Sequence, residues 1–153
     1  MQSFEREIAH QVESMQSEIV HLLADLVRIP SVTGQEATVQ HHLINLFREF
    51  GWEVDSWCPK KEEVQKHPAY SDDGLPLGER PVVVARIPGS EARSGTLILN
   101  GHIDVVPVGD AQSWRDGPWS GAVRDGFVWG RGSCDMKAGL AAAIAAVSAL
   151  QRA

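Results

Sequence analysis

Apolar positions recur at a four–three spacing near the start of the chain: Ile8, Val12, Met15, Ile19, Leu22 and Leu26. That spacing predicts one amphipathic helix of several turns, closed by Pro30. It would also suit a coiled coil, but no longer repeat follows, so the helix is expected to pack on its own domain. Thr33-Gly-Gln-Glu36 fits a capping box, in which a hydroxyl and a carboxylate satisfy orphan amides. A second helix is predicted to follow, with Val39, Leu43, Leu46, Phe47 and Phe50 as its buried stripe and Gly51 as its stop.

From there the pattern changes to that of strands. Trp52 to Trp57 reads as a short strand. Pro81 to Ile87 and Thr96 to Asn100 are rich in Val, Ile and Leu, as core strands are. The polar stretch Cys58 to Arg80, with Pro68, Gly74, Pro76 and Gly78, is expected to be a long inserted loop. Gly89 to Gly95 reads as a hairpin or loose turn, and Ala122 to Gly130 as a hairpin around Asp125-Gly126. Met136 to Leu150 is alanine-rich and apolar on nearly every face, the pattern of a helix buried inside a larger protein. There is no internal repeat and no low-complexity tract.

Composition narrows the function classes. A length of 153 residues, with 43% apolar and 22% charged, suits one soluble domain with a sizeable core. A formal charge of -6 argues against a nucleic-acid surface, which needs clustered Lys and Arg. The one basic cluster, Lys60-Lys61, adjoins Glu62-Glu63 and reads as a solvated loop. The opening MQSFEREIAHQ lacks the charged and apolar regions of a signal peptide. The apolar run Leu140 to Val147 is too short to span a bilayer, so no membrane association is expected. Cys58 and Cys134 form no CxxC and read as a reduced pair in a cytoplasmic protein.

Candidate chemistry is concentrated between Leu97 and Leu150, in GHIDVVP and GRGSCDMKAG. On an extended segment, His102 and Asp104 point to the same side. One ring nitrogen could bind a metal while a carboxylate holds the other and fixes the tautomer. A lone His-x-Asp is more often a satisfied buried histidine. Asp135 follows a turn made tight by Gly130 and Gly132 and precedes a helix, whose positive end favours a carboxylate. A carboxylate there can bridge two cations, a known hydrolytic arrangement. A simple helix cap would explain Asp135, but not the flanking glycines or the small Ala138 and Gly139. Phosphate-loop readings fail: Lys137 follows Met136 and precedes Ala138, and no third glycine completes GxGxxG.

Taken together, these motifs resemble the catalytic domain of the acetylornithine deacetylase, succinyl-diaminopimelate desuccinylase, aminoacylase and carboxypeptidase G family of co-catalytic metallohydrolases. The resemblance begins at Ile29-Pro30-Ser31 and Thr33-Gly-Gln-Glu36. It passes through Asn100-Gly-His-Ile-Asp104-Val-Val-Pro107, Trp114 and Pro118, and ends with Gly130-Arg-Gly132 and Asp135-Met-Lys137. Pro118-Trp119 stands where Pro-Phe is usual, and Trp129 where tyrosine is common. The resemblance implies an α/β fold with a mostly parallel or mixed central sheet flanked by helices, as in zinc exopeptidases. It implies His102 as a metal ligand, Asp135 as the carboxylate bridging two divalent ions (zinc or cobalt), and Asp104 as the catalytic-site carboxylate supporting His102. It also implies a cis peptide at Asp135–Met136.

The family's Glu-Glu pair, further acidic ligand, late histidine and lid domain have no counterpart in residues 1–153, which therefore read as an N-terminal portion of the catalytic domain with an incomplete site. Glu62-Glu63 precedes His102 in a polar loop and reads as solvent-exposed; His10, His21, His41, His42 and His67 are poor ligand candidates, with His41 and His42 expected at ordinary surface positions. The implied activity is deacylation of an N-acyl amino acid or related amine, with a small-molecule substrate and a homodimer formed through the lid domain. Alternatives are a dipeptidase or carboxypeptidase of the same family, or a non-catalytic interaction module on a truncated enzyme scaffold. The 153 residues alone are expected to be inactive and to bind metal poorly.

Overall fold

The computed structural model describes residues 2–89 and 95–153, so most of the turn expected at Gly89 to Gly95 lies outside the described residues. The chain forms two compact units, one of Met1–Ile29 with Leu99–Ala153 and one of Pro30–Ile98.

In the first unit the N-terminal periodicity yields two helices, α1 (Gln2–Ser14) and α2 (Gln16–Arg28), rather than one. At the junction Met15 departs from helical geometry, with φ -88 and ψ 1. Its N–H still bonds the Gln11 carbonyl at 3.0 Å, and that carbonyl also accepts the Ser14 hydroxyl at 2.8 Å. Met15 is buried with Ala145 and Ala149, and Ile19 packs against the same cluster. α2 ends at Arg28 because Ile29 turns extended, as a residue before proline must. The long C-terminal helix, named α5 below in chain order, spans Ala138–Arg152 and packs on α1 and α2, burying Ala141, Ile144, Ala145 and Ala149. Ser133–Arg152 is long and apolar enough to cross a membrane by length and composition. Its first turn, however, is non-helical at Asp135 and Met136, and the regular helix is 15 residues long, short of the roughly 20 a bilayer requires.

The second unit is built on α3 (Ala37–Glu49), which buries Val39, Leu43, Ile44 and Phe47. Leu46 is half-buried and Phe50 exposed, so the stripe is narrower than the spacing suggests. The helix also starts later than a capping box at Thr33 requires: Glu36 flanks it and accepts from the Gly34 N–H at 2.8 Å. Its end is a Schellman motif, with Gly51 at φ +75, Gly51 N–H to the Arg48 carbonyl and Trp52 N–H to the Phe47 carbonyl. Trp52 then stacks on Phe47 at 5.2 Å. Strands β1 (Glu53–Trp57) and β2 (Val82–Arg86) pair antiparallel against α3. The intervening loop carries a short helix, α4 (Lys61–Val64), and is tied by Lys61–Asp72, Arg80–Asp73 and Arg80–Glu36 ion pairs.

A second hairpin, β3 (Ala122–Arg124) and β4 (Phe127–Trp129), turns at Asp125-Gly126, both at positive φ as a type I′ turn demands. The α/β class therefore holds, but the described residues form two two-stranded antiparallel sheets and no parallel one. The reason lies in 96–100, the expected core strand. It pairs with no strand among the described residues, and Leu97 and Ile98 are 80% and 81% exposed. A run apolar on both faces needs neighbours on both sides and cover above and below.

Candidate metal centre

The site lies wholly in the first unit. From Gly101 the chain runs extended, and alternate residues take opposite sides: Ile103 and Val105 are buried, while His102 and Asp104 reach the surface. Thirty-odd residues later, Gly130 and Gly132 permit a close approach that no other residue would. A Cβ at Gly130, where φ is +148, would strike Val27 of α2 and the Pro118 carbonyl. One at Gly132, where φ is +81, would strike Val105 itself. The chain then makes a wide turn, Ser133–Lys137, closed by the Lys137 N–H to the Gly132 carbonyl at 3.0 Å. Such i→i−5 turns recur at functional sites. The Asp135–Met136 peptide within it is cis, as the resemblance implies.

These two segments bring His102 Nε2 within 3.1 Å of Asp135 Oδ1. On the other side of the ring, Nδ1 lies 3.0 Å from the Asp104 carbonyl and 3.3 Å from the Asp104 carboxylate. A carbonyl can only accept, so Nδ1 carries the proton. In the neutral ring Nε2 is then a lone pair facing an anionic oxygen. Two acceptors at that distance need a cation between or beside them, either a proton on Nε2 or a metal ion. The donor set thus fits a divalent metal: an imidazole with its tautomer fixed from behind, and a carboxylate opposite. Burial alone pulls the His102 pKa down. The Asp104 carbonyl and the Asp135 and Asp104 carboxylates outweigh it and hold the pKa above its ordinary 6.5.

The cleft around these groups encloses about 200 Å³ and is also lined by Val105, Val106 and the Gly130–Asp135 turn. Asp135 projects into solvent, its carboxylate 86% exposed. Among the described residues no set of three His, Cys, Asp or Glu side chains is placed to hold a metal ion. Glu62 and Glu63 lie in the first turn of α4, exposed as expected; His41 is exposed as expected, His42 is half-buried, and His10, His21 and His67 are exposed.

Two basic residues beside the site have roles the sequence did not reveal. Lys137 is fully buried, and its ammonium donates to the Leu26 and Ile29 carbonyls at 2.7 and 2.9 Å. Burial pushes its pKa down to about 8. A lysine is ordinarily expected at the surface, and only its place in the Asp-Met-Lys motif marked it. Arg131 lies over the Trp114 ring at 5.1 Å, with its Nε buried and unpartnered among the described residues.

Comparison with known proteins accords with this geometry. The family Peptidase family M20/M25/M40 matches residues 98–153, the stretch that holds His102, Asp104 and Asp135. A succinyl-diaminopimelate desuccinylase of Cereibacter sphaeroides is 39% identical over 127 residues, covering 83% of this chain and 28% of the relative. One of Methylorubrum populi is 38% identical over 125 residues, covering 79% and 27%. One of Gluconacetobacter diazotrophicus is 39% identical over 131 residues, covering 83% and 28%. The chain spans a little over a quarter of the length of these relatives. The chain is thus similar to peptidase family M20/M25/M40 over residues 98–153, and to these desuccinylases over about four fifths of its own length.

Proposed function

We propose that the protein takes part in metal-dependent hydrolysis of an amide bond, removing an acyl group from an amino-acid-like amine. The observation that carries this reading is the His102 Nε2 to Asp135 Oδ1 approach at 3.1 Å, with Asp104 behind the ring. In it, His102 and Asp135 would hold the metal, Asp135 as the carboxylate shared by two ions, and Asp104 would orient and strengthen His102. A bound divalent ion (zinc or cobalt) would supply Lewis-acid polarisation of the amide carbonyl and activate water. The chain's own part is to keep Nδ1 protonated through the Asp104 carbonyl, so that Nε2 presents its lone pair. The exposed Asp135 carboxylate leaves the cleft open to a small-molecule substrate.

The names of the relatives favour an N-succinyl diamino acid over N-acetylornithine as the substrate. A cytoplasmic setting accords with Cys58 and Cys134, both free thiols. A catalytic zinc takes about three protein ligands, and on this reading the chain offers two, His102 and Asp135. The 153 residues by themselves are thus expected to bind metal weakly and not to turn over.

The experiment is calorimetric titration with zinc and cobalt, with assays of N-succinyl-diaminopimelate, N-acetylornithine and a dipeptide panel. Weak binding that disappears in Asp135→Asn supports the reading. Binding indifferent to His102 and Asp135 refutes it. Tight two-metal binding with turnover would mean that other residues of the chain complete the site.

A further inference from the structure

Asp135 has a single polar partner among the described residues, His102, and its carboxylate is otherwise in solvent. Its position is therefore set by the backbone of the Ser133–Lys137 turn and by whatever holds that turn. The turn's backbone closes on Gly132 through the Lys137 N–H. Its one fully buried side chain is Lys137, which crosses to α2 and bonds the Leu26 and Ile29 carbonyls. These carbonyls belong to the end of α2, where the last turn has no intrahelical donors and the helix dipole is negative. No carboxylate pairs with Lys137 among the described residues. The carbonyls, together with the Trp119 ring face at 5.8 Å, are what compensate its charge. An ammonium buried this fully is tolerated only where its donors are met, so the bond fixes the side chain, and the side chain fixes the end of the turn.

We propose that Lys137 is a positioning residue for the metal centre: its ammonium clamps the turn to the C-terminus of α2 and so holds Asp135 opposite His102. The effect on metal loading rests on the reading of His102 and Asp135 as ligands; the clamp itself does not. Lys137 does not touch the reacting atoms, being enclosed and directed away from the cleft toward α2. A methionine of similar length would fill the space but leave both carbonyls without a donor.

The test compares the 153-residue chain with its Lys137→Met, Lys137→Gln, Lys137→Arg and His102→Ala variants. Circular dichroism establishes which are folded. Amide hydrogen exchange reports on the turn and on the end of α2, and calorimetry reports cobalt affinity. In folded Lys137→Met, faster exchange across the turn is expected, with cobalt affinity lower by about ten- to a hundredfold, the usual effect of losing a group that orients a ligand. Lys137→Arg, which keeps the cation and its donors, is expected to recover part of both. Unchanged exchange and affinity in folded Lys137→Met would overturn the proposal. If that variant does not fold, folded Lys137→Gln decides by the same two readouts. If the parent and His102→Ala bind cobalt equally, the ligand reading fails, and exchange in the turn alone decides the clamp.

Discussion

Gly132 and Gly117 stand at nearly the same backbone angle, φ +81 and +83, in the same compact unit. They differ in what surrounds them. A Cβ on Gly117 would meet nothing within 4 Å, whereas one on Gly132 would strike Val105 and lie 3.5 Å from the Lys137 stem. Alanine at each therefore separates two costs. The left-handed conformation costs a non-glycine residue about 1–2 kcal/mol, and this term is common to both. Alanine's smaller unfolded-state entropy offsets part of it, again equally. The steric term belongs to Gly132→Ala alone and is about 1–3 kcal/mol, the usual price of forcing a methyl group into packed structure. Urea unfolding followed by circular dichroism should show Gly132→Ala less stable than Gly117→Ala by that difference. Because Val105 lies on the segment that carries His102, only Gly132→Ala should also weaken cobalt binding. Equal losses of stability, with cobalt binding untouched in both, would refute the claim that close approach to Val105 is what demands glycine here.

Two further outcomes follow from the geometry. With His102 held above its ordinary pKa of 6.5 by Asp104 and Asp135, the stability this gives the metal-free chain is complete below pH 6.5 and lost as pH rises through the raised value. Thermal melting across that range should fall without metal and rise with zinc, which needs the neutral ring; a flat metal-free profile would count against the imidazole–carboxylate pairing. Met15→Ala empties the contact with Ala145 and Ala149 at the α1–α2 junction, and should cost about 2–5 kcal/mol in urea unfolding.

The sequence was most legible where a local rule decides the structure. Asp125-Gly126 makes a hairpin because both residues accept positive φ, and Gly51 ends α3 for the same reason. His102 and Asp135 were legible as a pair through motif order, and the structure brings them together. What the sequence concealed depends on partners far along the chain. The four–three stripe gives no sign of the break at Met15, where the chain leaves helical geometry and the side chain is buried against Ala145 and Ala149 of α5. The capping-box pattern has a competing use for its carboxylate: Glu36 flanks α3 rather than lying in its first turn, and it binds the Gly34 amide and Arg80. Apolar content at 96–100 signals a core strand, yet pairing depends on neighbours that the described residues do not provide.

The residues that determine the site's geometry are not those with the chemistry. α2 carries neither His102 nor Asp135, yet the segments around the site are fitted to it. Gly121 lies against the Ala24 carbonyl, Gly130 against Val27, and Lys137 on Leu26 and Ile29. Ala24, Leu26 and Val27 are each fully buried. Two of these contacts work because a side chain is missing, and one because a charged side chain takes up carbonyls that a helix end leaves over. That arrangement accounts for the glycines Gly121 and Gly130 and for a lysine two residues after Asp135 inside an apolar setting. It also locates the site's sensitivity. A larger side chain on the packed face of α2 would act first on the turn that carries Asp135, because the glycines leave that turn no slack. The His102–Asp135 approach would then be lost through a displacement that begins one helix away from it.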